Sequence, residues 1–286
     1  MLNDKKILIT GGTGSLGNAL VEHISKMYVA PRFPRPKKVI IFSRDEYKQH
    51  LMNKKYDFEW LRYFLGDVRD LTRLNQVCRD VDIVIHAAAL KQIPALEYNP
   101  IEAVRTNIDG TVNVIEACIS NDVEKCVFIS TDKAVNPVNL YGATKMAAEK
   151  LILAANNYNK TEFSCVRYGN VLNSRGSVIE HFLKLKREGV KVFPITHPEM
   201  TRFWITLKEA SELVMTALNG AESLVVPKLP SMKITDLAKA IDPECEFEIV
   251  GIRPSEKMHE SLEIGYSSDT NDVWLTYKEL RRRIGL

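Results

Sequence analysis

No run of apolar residues in this chain of 286 approaches the roughly eighteen that a membrane-spanning helix requires, so no membrane partner is expected. The N-terminus also lacks a charged-then-apolar leader, because a strand pattern begins almost at once. Cysteine is scarce: Cys78, Cys118, Cys126, Cys165 and Cys245 are odd in number and show no CxxC spacing. Several fall in apolar patterns where a free thiol packs as a small hydrophobe. A reducing, cytoplasmic setting is expected, and no metal is assigned. An excess of one charge is missing too. The net charge of +3 is not a clustered basic footprint, which argues against nucleic acid as a partner. The local exception, Arg281, Arg282 and Arg283 on a terminal helical pattern, reads as a solvated face or an oligomer contact. Internal repeats and low-complexity segments are absent.

What the sequence does hold is alternation. Short β-branched runs at 6–10, 38–42, 62–65, 82–88, 125–130 and 163–168 are separated by amphipathic stretches. Strands apolar along their whole length, with helices between them, indicate a parallel sheet covered on both faces. Right-handed crossovers then give an α/β, Rossmann-like doubly wound sheet with ligands at the carboxyl ends of its strands. The proline-rich stretch at 31–36 is expected to be a stiff surface loop. After Tyr168 the regularity weakens into helices near 176–188, 208–219 and 233–241 and strands at 224–226 and 247–250. The expected division is a nucleotide-binding domain over 1–168 and a smaller C-terminal substrate-binding lobe over 169–286, with some segments returning to the main sheet.

The first strand runs directly into GGTGSLG, which puts Gly11, Gly14 and Gly17 on a strand-to-helix turn. Such glycines permit a tight turn, close approach of backbone to a pyrophosphate and close helix packing, while the helix N-terminus offers unpaired N–H donors. The competing reading is a tight turn without a nucleotide. An NAD site ordinarily ends the second strand with a carboxylate for the ribose hydroxyls, whereas here it ends in Ser43 and Arg44. Arg44 and Lys48 are therefore expected to hold the 2′-phosphate of NADP, although Asp45 and Glu46 also allow a plain mixed-charge loop. Asp67 and Val68 are placed to flank the adenine, or Asp67 caps the following helix.

Tyr141 and Lys145, in YGATK, are four apart on a helical pattern and share a face. An ammonium beside the phenol is expected to lower its pKa and make Tyr141 a usable base. Just upstream a strand ends in STDK, which holds Thr131, Asp132 and Lys133. An exposed strand-end pair is the plain alternative for Asp132 and Lys133.

With these motifs the chain resembles the extended short-chain dehydrogenases, and more narrowly the soluble inverting UDP-GlcNAc 4,6-dehydratases of the pseudaminic-acid and flagellin-glycosylation kind. The matching segments include ITGGTGSLG, FSRDE, GDVRD, IHAAALKQIP, TNIDGT, STDKAVNPVNLYGATK, RYGNV, SRGSV, ITHPEMTRFWIT and GIRPSEKMHE, covering about residues 5–262, with a tail match at YSSDTNDVWL. The resemblance implies that Thr13, Ser15, Leu16, Ala87, Ala88, Ala89, Lys91 and Asn107 join the cofactor site. It assigns Lys91, Asn173, Val178, Thr196, Met200, Arg202, Arg253 and Glu256 to a UDP-sugar, with the two arginines suited to its anionic phosphates. Tyr141 would take the 4-hydroxyl proton, Thr131 would orient the 4-oxygen, Lys133 would remove the C5 hydrogen, and Asp132 would protonate the departing 6-hydroxyl. These roles need Lys133 depressed in pKa, by desolvation or by a charge such as Lys145, and Asp132 protonated. Homo-oligomers are implied as well.

Tyr141 stands where the membrane-bound retaining dehydratases show methionine. A UDP-sugar 4-epimerase, which keeps the Tyr and Lys but lacks the Asp-Lys pair, is the second reading, and a non-catalytic NADP-binding sensor or scaffold is the third. The chain departs from the pattern at Ser255, where the family carries glycine, and lacks about forty-five residues before the YSS tail. His86 and His197 are read as structural.

Overall fold

The computed structural model describes residues 2–29, 35–158 and 160–286. The proline-rich stretch thus falls mostly outside the described residues. The first lobe alternates β1 (Lys6–Thr10), α1 (Ser15–Val29), β2 (Lys38–Ser43), α2 (Glu46–Lys55), β3 (Leu61–Leu65), α3 (Leu71–Val77) and β4 (Ile83–His86). It continues through α4 (Ile93–Tyr98), α5 (Pro100–Val104), a π-helical turn (Arg105–Asp109), α6 (Gly110–Ser120), β5 (Lys125–Ile129), α7 (Leu140–Ala154) and β6 (Glu162–Val166). Beyond it lie β7 (Asn170–Val171), α8 (Val178–Arg187), β8 (Val192–Ile195), β9 (Thr201–Ile205), α9 (Leu207–Asn219), β10 (Leu224–Val225), β11 (Ser231–Lys233), α10 (Ile234–Ile241), β12 (Glu246–Ile249), β13 (Ser261–Glu263), β14 (Tyr266–Ser267) and α11 (Tyr277–Ile284).

A seven-stranded parallel sheet in the order β10-β6-β5-β4-β1-β2-β3 forms the centre. Alternate residues of each strand face opposite helical layers, and both layers are apolar. Ile7, Ile9, Val39, Ile41 and Ile85 pack on Leu20 and Ile24 of α1 and Val214 of α9. Leu8, Ile40, Phe42, Val84, Cys126 and Phe128 pack on Val114 of α6 and Ala148 and Ile152 of α7. This two-sided burial is why the strands are apolar throughout rather than alternating. All five cysteines are buried and unpaired. The order reverses between β4 and β1, so the loops after these strands diverge and open a crevice at their carboxyl ends.

The strand expected at 82–88 stops at His86, because its partner β1 ends at Thr10. Ala87 N–H donates to Thr10 O at 3.2 Å, and the chain then leaves the sheet. A third core joins α8, β8, β9, α10 and α11 through Phe182, Phe193, Trp204, Leu237 and Leu280. α9 and β10 belong instead to the large sheet, where α9 packs on α1 and β10 pairs with β6. Capping boxes start two late helices: Thr206 with Glu209 on α9 and Thr276 with Glu279 on α11. The terminal arginines are partly used within the chain, since Arg283 bonds Glu209 and Arg281 donates to Ala240 O.

Beneath the segment that follows β5 lies a buried ion pair. The Arg167 guanidinium pairs with Glu149 of α7, whose Oε2 also accepts the Ser130 hydroxyl at 2.6 Å. Arg167 Nη1 donates to Leu262 O at 2.7 Å in β13. Removing one partner of such a pair strands the other charge in the interior. Arg167→Ala should therefore lose about 3–5 kcal/mol of stability, measured by urea unfolding, whereas a loss below about 1 kcal/mol would show the pair to be a solvated contact.

Candidate active site

A cleft of about 690 Å³ runs along the carboxyl ends of the strands and under the smaller lobe. Its floor is the turn at 11–17. Gly11 adopts φ +65°, and a Cβ there would lie 2.8 Å from Ala87 O and Ala88 N, so only glycine lets the β1 and β4 loops run side by side. Thr13, Gly14, Ser15, Leu16 and Gly17 line the cleft at the start of α1, where helix N–H groups suit a pyrophosphate.

One wall consists of Ser43, Arg44, Lys48, Asp67 and Val68. Two nearby carboxylates are already committed. Asp45 caps α2, accepting Lys48 N–H at 2.9 Å, and pairs with the Lys48 ammonium. Asp67 is gripped by the Arg69 side chain at 2.9 and 2.7 Å, and it is Asp70 that caps α3. Arg44 is left half exposed, with only a 3.6 Å approach to Asp67.

Ala87, Ala88, Ala89 and Lys91 form the opposite wall. Asn107 does not line the cleft. It is buried in the π-helical turn, where its Oδ1 accepts Leu90 N–H at 2.8 Å and its amide donates to Leu90 O and Thr144 Oγ1, each at 3.0 Å. These bonds tie this wall to α7. His86 is a satisfied core histidine between Thr10 (2.7 Å) and Thr111 (3.1 Å), with burial pushing its pKa down to about 3.

At the deep end, Thr131, Lys133, Tyr141 and Lys145 meet. Asn139 caps α7 by accepting Gly142 N–H at 2.8 Å. Gly142 lies so near the Lys133 carbonyl that a Cβ would fall 2.2 Å from its oxygen, which brings the YGATK helix directly against STDK. Lys133 Nζ donates to Asp132 Oδ1 at 3.0 Å and Asn170 Oδ1 at 3.1 Å, and lies 3.4 Å from Glu260 Oε1. Thr131 donates its hydroxyl to Asp132 Oδ1 at 3.0 Å. Asp132 is fully buried, and its Oδ2 finds no hydrogen-bond partner among the described residues.

The electrostatics agree with one expectation and overturn two. Burial raises the Asp132 pKa, against the opposing pull of Lys133, which favours an acid at this position. Lys133, however, is not depressed: burial works to lower it, but the Asp132 and Glu260 carboxylates outweigh that and hold the ammonium above the ordinary lysine range. Tyr141 is likewise raised by burial, and the charge that pulls it down is the Lys133 ammonium rather than Lys145. Lys145 is itself pushed down to about 7 by burial, its Nζ 3.8 Å above the Phe128 ring.

The smaller lobe contributes Val178, Thr196, Met200, Arg202 and Glu256. Arg202 is buried and engaged: it donates to Thr201 O at 2.7 Å, Lys257 O at 2.9 Å and Met258 O at 3.0 Å. Its guanidinium shapes the loop at 256–258, leaving mainly its charge for an anionic substrate. Asn173 and Arg253 do not reach the cleft. Asn173 occupies a left-handed turn at φ +57° with its side chain in solvent, and Arg253 sits in the exposed stretch 250–254. Sequence reasoning missed Glu260, Asn170, Lys257 and Arg175, all of which line the cleft. Arg175 crosses to the glycine turn, donating to Thr13 O at 3.2 Å, and its own carbonyl accepts the Lys91 ammonium at 3.2 Å.

The glycine turn at the sheet's switch point, with a Tyr-Lys helix facing a strand-end Asp-Lys pair, defines an extended short-chain dehydrogenase type of nucleotide-binding protein. The chain belongs to the polysaccharide biosynthesis protein family, whose model matches residues 7–278. It is 52% identical over 284 residues to a Campylobacter jejuni protein named UDP-N-acetylglucosamine 4,6-dehydratase (inverting), covering 97% of this chain and 81% of that one. It is 40% identical over 287 residues to a Rickettsia conorii protein named UDP-glucose 4-epimerase, covering 96% and 83%. The X-ray structure of Pen from Bacillus thuringiensis superposes with a TM-score of 0.89 at 34% identity over 98% of both chains.

The depressed Lys145 makes a stability prediction. Its folded pKa of about 7 lies below the unfolded value, so the destabilisation it causes is absent well above pH 10, grows as pH falls and is constant below about 7. Lys145→Met should raise the melting temperature of the cofactor-free protein at pH 7, with the gain shrinking toward pH 10. A gain independent of pH would contradict a neutral buried amine.

Proposed function

We propose that the protein is an NADP-dependent UDP-N-acetylglucosamine 4,6-dehydratase that inverts C5, releasing a UDP-4-keto-6-deoxy sugar and water. The carrying observation is the buried Asp132-Lys133 pair beside Tyr141 at the deep end of a dinucleotide-sized cleft. An epimerase has no need of a second acid and base at that point. Support also comes from the 52% identical relative and its name.

The turn at 11–17 would take the pyrophosphate, and Arg44, with its guanidinium half exposed, would take the ribose 2′-phosphate. Asp45 is used as a helix cap and is thereby kept from the ribose hydroxyls. A bound nicotinamide supplies reversible hydride acceptance, from C4 at the start and back to C6 at the end. Tyr141 removes the 4-hydroxyl proton as the C4 ketone forms, and the ketone acidifies C5–H. Lys133 then takes the C5 proton while Asp132 gives a proton to the leaving 6-hydroxyl, which departs as water. Transfer of one proton from Lys133 Nζ to Asp132 Oδ1, 3.0 Å away, creates the neutral amine and the carboxylic acid together. A solvent proton delivered to C5 on the face opposite Lys133 then inverts that centre. Tyr141 keeps the 4-hydroxyl proton, which offsets the one taken from solvent, and the Asp132-Lys133 pair is back at its starting charges. Lys91, Arg175, Arg202 and Lys257 lend the cleft the positive charge that a UDP-sugar requires.

Incubation with UDP-N-acetylglucosamine in deuterated water, followed by NMR, should show a 4-keto-6-deoxy product with deuterium at C5. Recovery of C4-epimerised sugar alone would reject dehydration. Lys133→Ala should keep NADP affinity within about threefold and lower elimination by 10²-fold or more, in the range of a lost general base; surviving turnover would remove Lys133 from that role. Arg44→Ala should weaken NADP by roughly tenfold or more while sparing NAD, and equal losses for both would mean that Arg44 does not read the 2′-phosphate.

A further inference from the structure

Glu260 lies more than a hundred residues from STDK, yet it is 3% exposed and its Oε1 lies 3.4 Å from Lys133 Nζ. A buried carboxylate is rarely left unconstrained, and here the constraint is visible. Glu260 N–H donates to Ser268 Oγ at 3.0 Å, and Glu260 O accepts Ser268 N–H at 2.8 Å. Ser268 is in turn 2.7 Å from the Thr201 hydroxyl at the start of β9. Both backbone groups of Glu260 are thus clamped by the segment after β14, and its carboxylate is delivered to the base across the cleft.

We propose that Glu260 is the positioning residue that sets the basicity of Lys133: a fixed negative charge, separate from the acid Asp132, that holds the ammonium in place and stabilises it each time it receives a proton. This rests on the assignment of Lys133 as the base. Asp132 cannot fill the same place, because it has to give up its charge when it takes the proton destined for the leaving hydroxyl. The groups facing Lys133 are Asp132 and Glu260, with Arg202, Lys257, Tyr141 and Lys91 around them. Lys257 pairs with the outer oxygen of Glu260 at 3.2 Å and donates to Val135 O at 2.6 Å, so the inner oxygen is the one presented to Lys133.

The test reads Lys133 directly. The NADP-loaded protein is treated with trace acetic anhydride across pH 7–11, and acylation of the Lys133 peptide is followed by mass spectrometry against an exposed lysine. In the wild type, Lys133 should remain protected past the pH at which exposed lysines react. In Glu260→Gln its labelling should rise at least one pH unit lower, a tenfold change in amine availability, and Glu260→Asp, which keeps the charge but shortens the reach, should fall between. Single-turnover kinetics add a second readout. Formation of reduced nicotinamide should stay within about threefold, elimination should slow by roughly tenfold, and the acid limb of its pH profile should move down with the labelling midpoint. An unchanged midpoint in both variants, or parallel loss of oxidation and elimination at a fixed limb, would overturn the proposal. If wild type forms no 4-keto product, the dehydratase reading falls, while the labelling comparison still decides the relation between Glu260 and Lys133.

Discussion

The Lys133 ammonium sits between two buried carboxylates, and that arrangement is costly to build. Taking a single such charge out of water costs several kcal/mol even after relaxation, and here three are withdrawn within one corner of the cleft. The corner survives because each charge is held by something rigid. Asp132 follows directly from the end of β5, Lys133 is pinned by Asn170, and Glu260 is clamped through its backbone by Ser268. Much of the surrounding structure is needed to hold these three groups: the Arg167-Glu149 pair beneath Ser130, the close approach of Gly142 to the Lys133 carbonyl, and the Arg202 guanidinium that shapes the loop leading to Glu260.

The same arrangement explains why acid and base are adjacent. In water a carboxylate and an ammonium keep their own protonation states, which is unproductive for the elimination proposed above. Burial favours the neutral form of both partners, so the exchanged pair, acid and amine, is brought nearer in energy than solvent would allow. The Glu260 carboxylate, 3.4 Å from Lys133 Nζ, works the other way, and together with Asp132 it holds Lys133 above the ordinary lysine range.

The sheet and the large cofactor features were legible in the sequence because they are local. The glycine turn, the apolar strands and the YGATK spacing each lie within a few consecutive residues, and periodicity or backbone geometry fixes what they do. Glu260 was not legible, because it reaches Lys133 only through the fold of the smaller lobe, and nothing about MHE as a string separates a clamped interior carboxylate from a surface one. Asn107 was placed at the site but one layer too near: its amide spends its bonds on Leu90 and Thr144. Asn173 and Arg253, which the resemblance assigns to substrate, are exposed and do not line the cleft. The direction in which Lys133 titrates is not legible in the sequence for a related reason, since burial alone would lower it and the second carboxylate that raises it arrives from Glu260.

Ser255 stands at a place where backbone geometry matters. Its φ of +68° is a left-handed conformation that glycine adopts freely and serine does not. The carbonyl of Ser255 accepts the Asn139 side-chain amide at 3.0 Å, and the same Asn139 caps the helix that carries Tyr141 and Lys145. The strained turn is therefore a joint between the smaller lobe and α7, and the five residues that follow it lead to Glu260. A strain of about 1–2 kcal/mol is retained where the chain has to reverse in order to bring a distant carboxylate to Lys133. The smaller lobe thus does more than roof the cleft, because its 255–260 loop and its 267–268 clamp bring Glu260 to the Lys133 amine at the edge of the sheet.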